Sequence, residues 1–164
     1  MSIVFSPAEL INIAIANEHR GISFYDVMAK SADSAEARSI FESLVGMERE
    51  HIKIFEGMLG EAEKQLPPET GSFEYAGYLQ ALIDSAIFTD DMITSEMAAQ
   101  ADSDIRALEL GIGAEKDSIL FYYQLRDLMP HQELPLIDRI IAEEKGHLHQ
   151  LAEIRKRLMD AHQG

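Results

Sequence analysis

The chain has 164 residues, a length suited to one domain with a sizeable core, and its 29 acidic and 14 basic residues give a formal net charge of −15. That balance argues against a nucleic-acid partner, because a binder needs a positive footprint. The sequence has no cysteine, which excludes disulfides, iron–sulfur clusters, rubredoxin-type iron and thiol catalysis together, so any metal must be held by oxygen and nitrogen.

No stretch approaches about 18 uninterrupted apolar residues, so no membrane span is expected. Met1 to Leu10 has neither the basic segment nor the long apolar run of a signal peptide, and a cytoplasmic protein is the simplest expectation. Ala, Leu, Ile, Glu and Met are plentiful and Pro is scarce, which favours helix over sheet.

Ser6-Pro7-Ala8-Glu9 reads as a capping box with proline at the first helical position, so a first helix is predicted from Pro7 to about Lys30. Its apolar stripe is Ile11, Ala14, Ile15, Ile22 and Tyr25, with Glu18 in the middle. After a short link, Asp33 and Glu36 are spaced as a second capping box, and the helix they open must end before Pro67-Pro68. This second helix carries Glu48 and His51. Their same-face neighbours are Phe41, Leu44, Val45, Ile52 and Phe55.

From Leu66 to about Ala101 runs a long connection interrupted by Pro67, Pro68, Gly71 and Gly77, in which Tyr78 to Phe88 is predicted to be helical. It is too apolar to be a free linker and reads as a crossover. A third long helix is predicted from Ser103 to Met129, stopped by Pro130. A fourth follows from Glu133 to His162, with Pro135 tolerable only in its first turn. Around Glu144 and His147 the same-face residues are Ile137, Ile140, Ile141, Leu148 and Leu151.

The chain repeats itself. Ile15, Glu18, Ile22, Phe24 and Tyr25 recur 97 residues later as Ile112, Glu115, Ile119, Phe121 and Tyr122, and the pair Glu48/His51 recurs 96 later as Glu144/His147. Residues three apart share a helix face, so each Glu-x-x-His pair aims a carboxylate and an imidazole at one point. Four carboxylates in the middle of apolar faces would repel strongly or take up protons unless cations lie among them. Two divalent ions balance four carboxylates. Oxygen-rich ligation with one imidazole per ion suits iron or manganese, tolerates zinc, and leaves positions open for O2 or peroxide. His19, His131, His149 and His162 lack a paired acid and read as surface residues, and Glu143, about 100 degrees around the helix from Glu144, is expected to face outward.

One Glu and one Glu-x-x-His per helical pair, given twice, resembles the ferritin-like di-iron carboxylate bundles. The phrases Ala114-Glu115-Lys116-Asp117-Ser118-Ile119-Leu120-Phe121-Tyr122 and Glu143-Glu144-Lys145-Gly146-His147 look most like the rubrerythrin branch, here without a rubredoxin domain. The resemblance implies an all-α, left-handed four-helix bundle with a long crossover between its second and third helices. It also implies a ligand set in which Glu48 and Glu144 bridge two metals, Glu18 with His51 completes one, and Glu115 with His147 the other. Tyr25 and Tyr122, each seven residues after a terminal glutamate, are placed to hydrogen-bond ligand carboxylates or to fill core.

The implied function is a non-haem di-iron oxidoreductase that reduces peroxide or O2 in defence against oxidative damage. Electrons would come from an external donor, and the assembly would be a homodimer or small homo-oligomer. The alternatives are ferritin-like iron oxidation and storage in a large hollow shell, or a metal-stabilised module without turnover. Two features depart from the family: the cysteine-ligated rubredoxin iron is missing, and Ser118 stands where rubrerythrins carry a further glutamate tied to a redox-linked shift of one iron.

Overall fold

The computed structural model describes residues 6–62, 73–84 and 103–163. Among them are five α-helices: α1 (Pro7–Ser31), α2 (Ala35–Ala62), α3 (Phe73–Asp84), α4 (Asp104–Leu128) and α5 (Leu134–Gln163). The first capping box forms as the sequence implies: the Ser6 hydroxyl accepts from the Glu9 amide at 3.1 Å, and the Glu9 carboxylate accepts from the Ser6 amide at the same distance. The second cap is displaced by one residue. Ser34, not Asp33, accepts from the Ala37 amide through its side chain. The amides of Asp33 and Ser34 both donate to the Asp104 carboxylate, at 3.0 and 2.8 Å, tying the α1–α2 turn to the first turn of α4. An acid is well placed there, at the positive end of the α4 dipole.

α4 begins behind Ser103, which caps the Arg106 amide, and stops at Leu128 before Pro130. α5 starts one residue later than expected, because His131–Glu133 form a 3-10 turn first. Pro135 is then the second helical residue, where its missing N–H costs nothing. The helical piece of the crossover begins five residues earlier than Tyr78 and ends at Asp84; residues 85–88 lie outside the described residues. Gly77 misleads as a breaker. Inside α3 it keeps helical backbone, at a cost of only about 1 kcal/mol against alanine.

α1 packs along α2 and α4 along α5, and the two hairpins meet through α1 against α4 and α2 against α5. The result is an all-α four-helix bundle, with α3 laid against α4. Leu79 of α3, 1% exposed, enters the same core, so α3, the described piece of the crossover, is part of the packing. The apolar interior is in two parts. One cluster joins Phe24, Tyr25 and Met28 of α1 to Phe41 and Leu44 of α2, Leu108 and Ile112 of α4 and Leu151 of α5. The other joins Leu10, Ile11, Phe55, Met58, Tyr122, Leu125, Ile137 and Ile140. Between them every long helix contributes buried polar residues: Glu18, Glu48, His51, Glu115, Ser118, Glu144 and His147. Among the described residues no helix is long and apolar enough to cross a membrane.

Candidate metal centre

The four glutamates are 1 to 4% exposed, and the two histidines 0 and 5%. All six side chains turn inward at mid-bundle because each occupies one place in an otherwise apolar helical stripe. His51 Nδ1 lies 2.8 Å from Glu144 Oε1, 3.5 Å from Glu48 Oε2 and 3.6 Å from Glu18 Oε2. His147 Nδ1 lies 3.8 Å from oxygens of Glu48, Glu115 and Glu144. The six residues thus form two overlapping groups, Glu18/Glu48/His51/Glu144 and Glu48/Glu115/Glu144/His147, each offering ligand atoms within 4.8 Å of one another. Glu48 and Glu144 belong to both.

Around this ring sits a second set of side chains. The Tyr25 hydroxyl donates to Glu115 Oε1 at 2.7 Å, and the Tyr122 hydroxyl donates to Glu18 Oε1. Each tyrosine therefore crosses from its own hairpin to the terminal glutamate of the other. The sequence repeat placed both on the right face but could not say which carboxylate each would meet. Asn17 Nδ2 donates to the Tyr122 hydroxyl at 3.1 Å and to the Ser118 hydroxyl at 2.9 Å. Asn17 carries no motif and was not singled out in the sequence. Beside Gly21, Tyr25, Glu48, Ala114, Glu115 and Ser118 is a cavity of about 10 Å³, room for one water-sized molecule.

Glu143 corrects the sequence expectation. It does not face outward: its side chain is 24% exposed, and its Oε2 lies 2.8 Å from His51 Nε2. Turning 100 degrees from Glu144 on α5 points it along the seam with α2 rather than into solvent, and a glutamate is long enough to reach across. Arg139, one turn earlier, donates to its other oxygen at 3.1 Å. The i,i+4 pairing of Arg139 with Glu143 was the available sequence signal, but it reads equally as a surface ion pair. His19, His131, His149 and His162 are exposed, as expected.

The electrostatics follow from burial. Burial raises the Glu18 and Glu144 carboxyls above the usual carboxylate range, and for Glu144 the neighbouring Glu115 charge adds to it. Glu115 goes the other way: burial would raise it, but hydrogen bonding from Glu144 and the His147 and Tyr25 partners holds it low. Burial would lower His51, yet the Glu144 and Glu18 carboxylates outweigh it and push the imidazole up to about 11. Tyr25 and Tyr122 are raised by burial and by the glutamates, so their hydroxyls stay protonated donors.

Glu18 Oε2, Glu115 Oε2, Glu144 Oε1, His51 Nδ1 and His147 Nδ1 are buried without a hydrogen-bond partner of acceptable geometry among the described residues. Orphaned buried polar atoms are costly, and these five, spread over the two groups, are atoms of the kind that could hold metal ions. Carboxylate oxygen and neutral imidazole nitrogen fit iron, manganese or zinc. Once His51 Nε2–H is given to Glu143, its Nδ1 lone pair is the one aimed inward.

Solved structures share the architecture. A ferritin-like diiron-carboxylate protein from Thermotoga maritima superposes with a TM-score of 0.69 at 26% identity, covering 93% of this chain and 96% of that one. A DUF305 fragment from Deinococcus radiodurans, 18% identical, shares the fold with a TM-score of 0.62 over 92% of this chain and 95% of its own. No curated protein matches the sequence. The Rubrerythrin family model matches residues 9–155, a span that holds every one of the six inward-facing glutamates and histidines, and the chain belongs to the rubrerythrin family.

Proposed function

We propose that this chain is a one-domain, non-haem di-iron oxidoreductase that reduces peroxide or O2 in the cytoplasm, limiting oxidative damage. The observation that carries the reading is the convergence of four buried glutamates and two buried histidines, with five of their ligand atoms left without partners. Glu18 with His51 would complete one ion, Glu115 with His147 the other, and Glu48 and Glu144, common to both groups, would bridge. A pair of ferrous ions there would supply two electrons, which with two protons convert hydrogen peroxide to two molecules of water.

The remaining work falls to the chain. Tyr25 and Tyr122 fix the orientation of Glu115 and Glu18 by donating to one oxygen of each; at Glu18 the other oxygen is the one that faces His51. Two apolar clusters keep bulk water from the ends of the site. The cavity beside Glu48 and Glu115 holds one water-sized molecule next to the proposed bridging glutamate, so a two-atom oxidant needs the side chains around it to shift. These 164 residues hold no cysteine-ligated iron, so in this reading electrons come from a donor outside them; we read the assembly as a homodimer or small homo-oligomer.

The test is anaerobic loading with Fe(II), measurement of bound metal, and stopped-flow mixing with peroxide. Two irons per chain and rapid oxidation that consumes one peroxide per pair are expected. Oxidation no faster than free Fe(II) refutes the catalytic reading. Many irons per chain in a large hollow particle would instead favour storage.

A further inference from the structure

We propose that the two metal positions are inequivalent, with the Glu18–His51 position binding first and most tightly and the Glu115–His147 position binding second and exchanging readily. The inference rests on the two-metal reading above and asks where the internal repeat is broken. The ligands themselves repeat faithfully: Glu18 with Glu115, Glu48 with Glu144, His51 with His147. The residues behind them do not.

At the Glu18–His51 position each ligand is braced by a built network. His51 gives its Nε2–H to Glu143, and Arg139 holds the far oxygen of Glu143. Tyr122, which donates to Glu18, is itself fixed by the Asn17 amide, whose other contact is the Ser118 hydroxyl. The same register maps Glu143 onto Met47, Arg139 onto Ser43, Asn17 onto Ala114 and Ser118 onto Gly21. For His147 the repeat therefore offers a thioether, a weak acceptor, in place of a carboxylate. For Tyr25 it offers a methyl group and a hydrogen in place of an amide and a hydroxyl.

Two effects then act in the same direction. A carboxylate behind an imidazole fixes its tautomer and raises its basicity as a ligand, an outer partner whose removal typically costs about 10- to 100-fold in metal affinity. Side chains already held in one rotamer lose less freedom when the ion arrives. Both favour the Glu18–His51 position.

The test uses the full chain, stripped of metal by chelation and titrated with Co(II) by calorimetry and by visible absorption. Wild type should bind two Co(II) in steps separated by tenfold or more. His147→Ala should keep the tight step and lose the weak one, and His51→Ala the reverse. Glu143→Gln, which keeps an acceptor for His51 Nε2–H but removes the charge, should weaken the tight step about tenfold, shift its absorption bands and leave the second step within about threefold. Met47→Glu should tighten the second step by moving the device across the repeat. Two indistinguishable steps, a tight step that survives in His51→Ala, or equal weakening of both steps by Glu143→Gln would overturn the inference while leaving the two-metal cage standing. Absence of Co(II) uptake at either position would refute the cage and the inference together.

Discussion

Glu144→Gln separates the stability cost of the site from its use. Glu144 is 1% exposed, faces Glu115 and Glu18, and belongs to both ligand groups. Without metal its carboxyl holds a proton well above 4.5, chiefly because burial penalises the charged form and then because of the Glu115 charge. A folded-state pKa raised above the unfolded value stabilises below the unfolded value and loses that contribution as pH rises toward the folded one. Above pH 4.5, each pH unit over which the folded carboxyl keeps its proton costs about 1.4 kcal/mol relative to the unfolded chain. For a domain of this length that is about 3 to 5 °C in Tm per pH unit. Thermal melts of the chelated protein, followed by circular dichroism from pH 4.5 to 7, should therefore show wild type falling relative to Glu144→Gln as pH rises.

Metal should reverse the order of the two proteins. Each position saturated at 100 times its Kd adds about 2.7 kcal/mol to wild type, and the variant, lacking a ligand common to both groups, should gain little. Parallel Tm-against-pH curves for the two metal-free proteins would refute the buried-proton argument. An equal metal-induced rise in both would refute the shared role of Glu144.

Tyr122→Phe should cost about 1 to 3 kcal/mol in denaturant unfolding of the metal-free protein, since it leaves both Glu18 Oε1 and Asn17 Nδ2 short of a buried partner. A loss under about 0.5 kcal/mol would mean that neither bond is formed in solution. Two glycines in long helices should behave oppositely. Gly46→Ala meets nothing within 4 Å and should raise stability by about 0.5 to 1 kcal/mol, whereas Gly111→Val, whose Cβ would sit 3.3 Å from Tyr25 Cε1 and 3.4 Å from Leu151 Cδ1, should lower it by about 1 to 3 kcal/mol. Leu79→Ala should cost about 2 to 5 kcal/mol and speed amide exchange in α3 selectively, and uniform protection across α3 and α4 would contradict the docking of the crossover.

The long helices and the convergence of four glutamates and two histidines were legible in the sequence because both rest on periodicities that local chemistry enforces. A capping serine, a proline at the first helical position and an apolar stripe fix α1 before any neighbour is present. An acid in the middle of such a stripe is so costly that its recurrence 97 residues later points to a common site. What the sequence could not supply is whatever depends on how one helix meets another. The Tyr122 face was readable, but its partner Glu18 lies on a helix about 100 residues away. Asn17 carries no periodic signal, because it is half-buried at the edge of the stripe and gains its role only when α4 brings Tyr122 and Ser118 to it. Glu143 was misassigned for the same reason. The helical angle from Glu144 is right, but the direction it gives is occupied by α2, not water.

The division of the core into two clusters explains how a site so unfavourable by itself can be carried. Two like charges at the 4.8 Å limit of the ligand atoms repel by about 3.5 kcal/mol at an effective dielectric of 20, and the ring holds four carboxylates. A domain whose net stability is on the order of 10 kcal/mol cannot absorb several such terms, so without metal the site must fill with protons, on His51 and Glu144 above all. The folded scaffold then depends on packing away from the ring. Phe41, Leu44 and Leu108 lie on one side and Leu10, Phe55, Leu79 and Ile137 on the other, all at most 1% exposed. Helices of 25 to 30 residues are long enough to carry both clusters and the polar band between them. Metal binding must therefore expel protons rather than fold the chain, and affinity should climb with pH by up to tenfold per unit for each proton released.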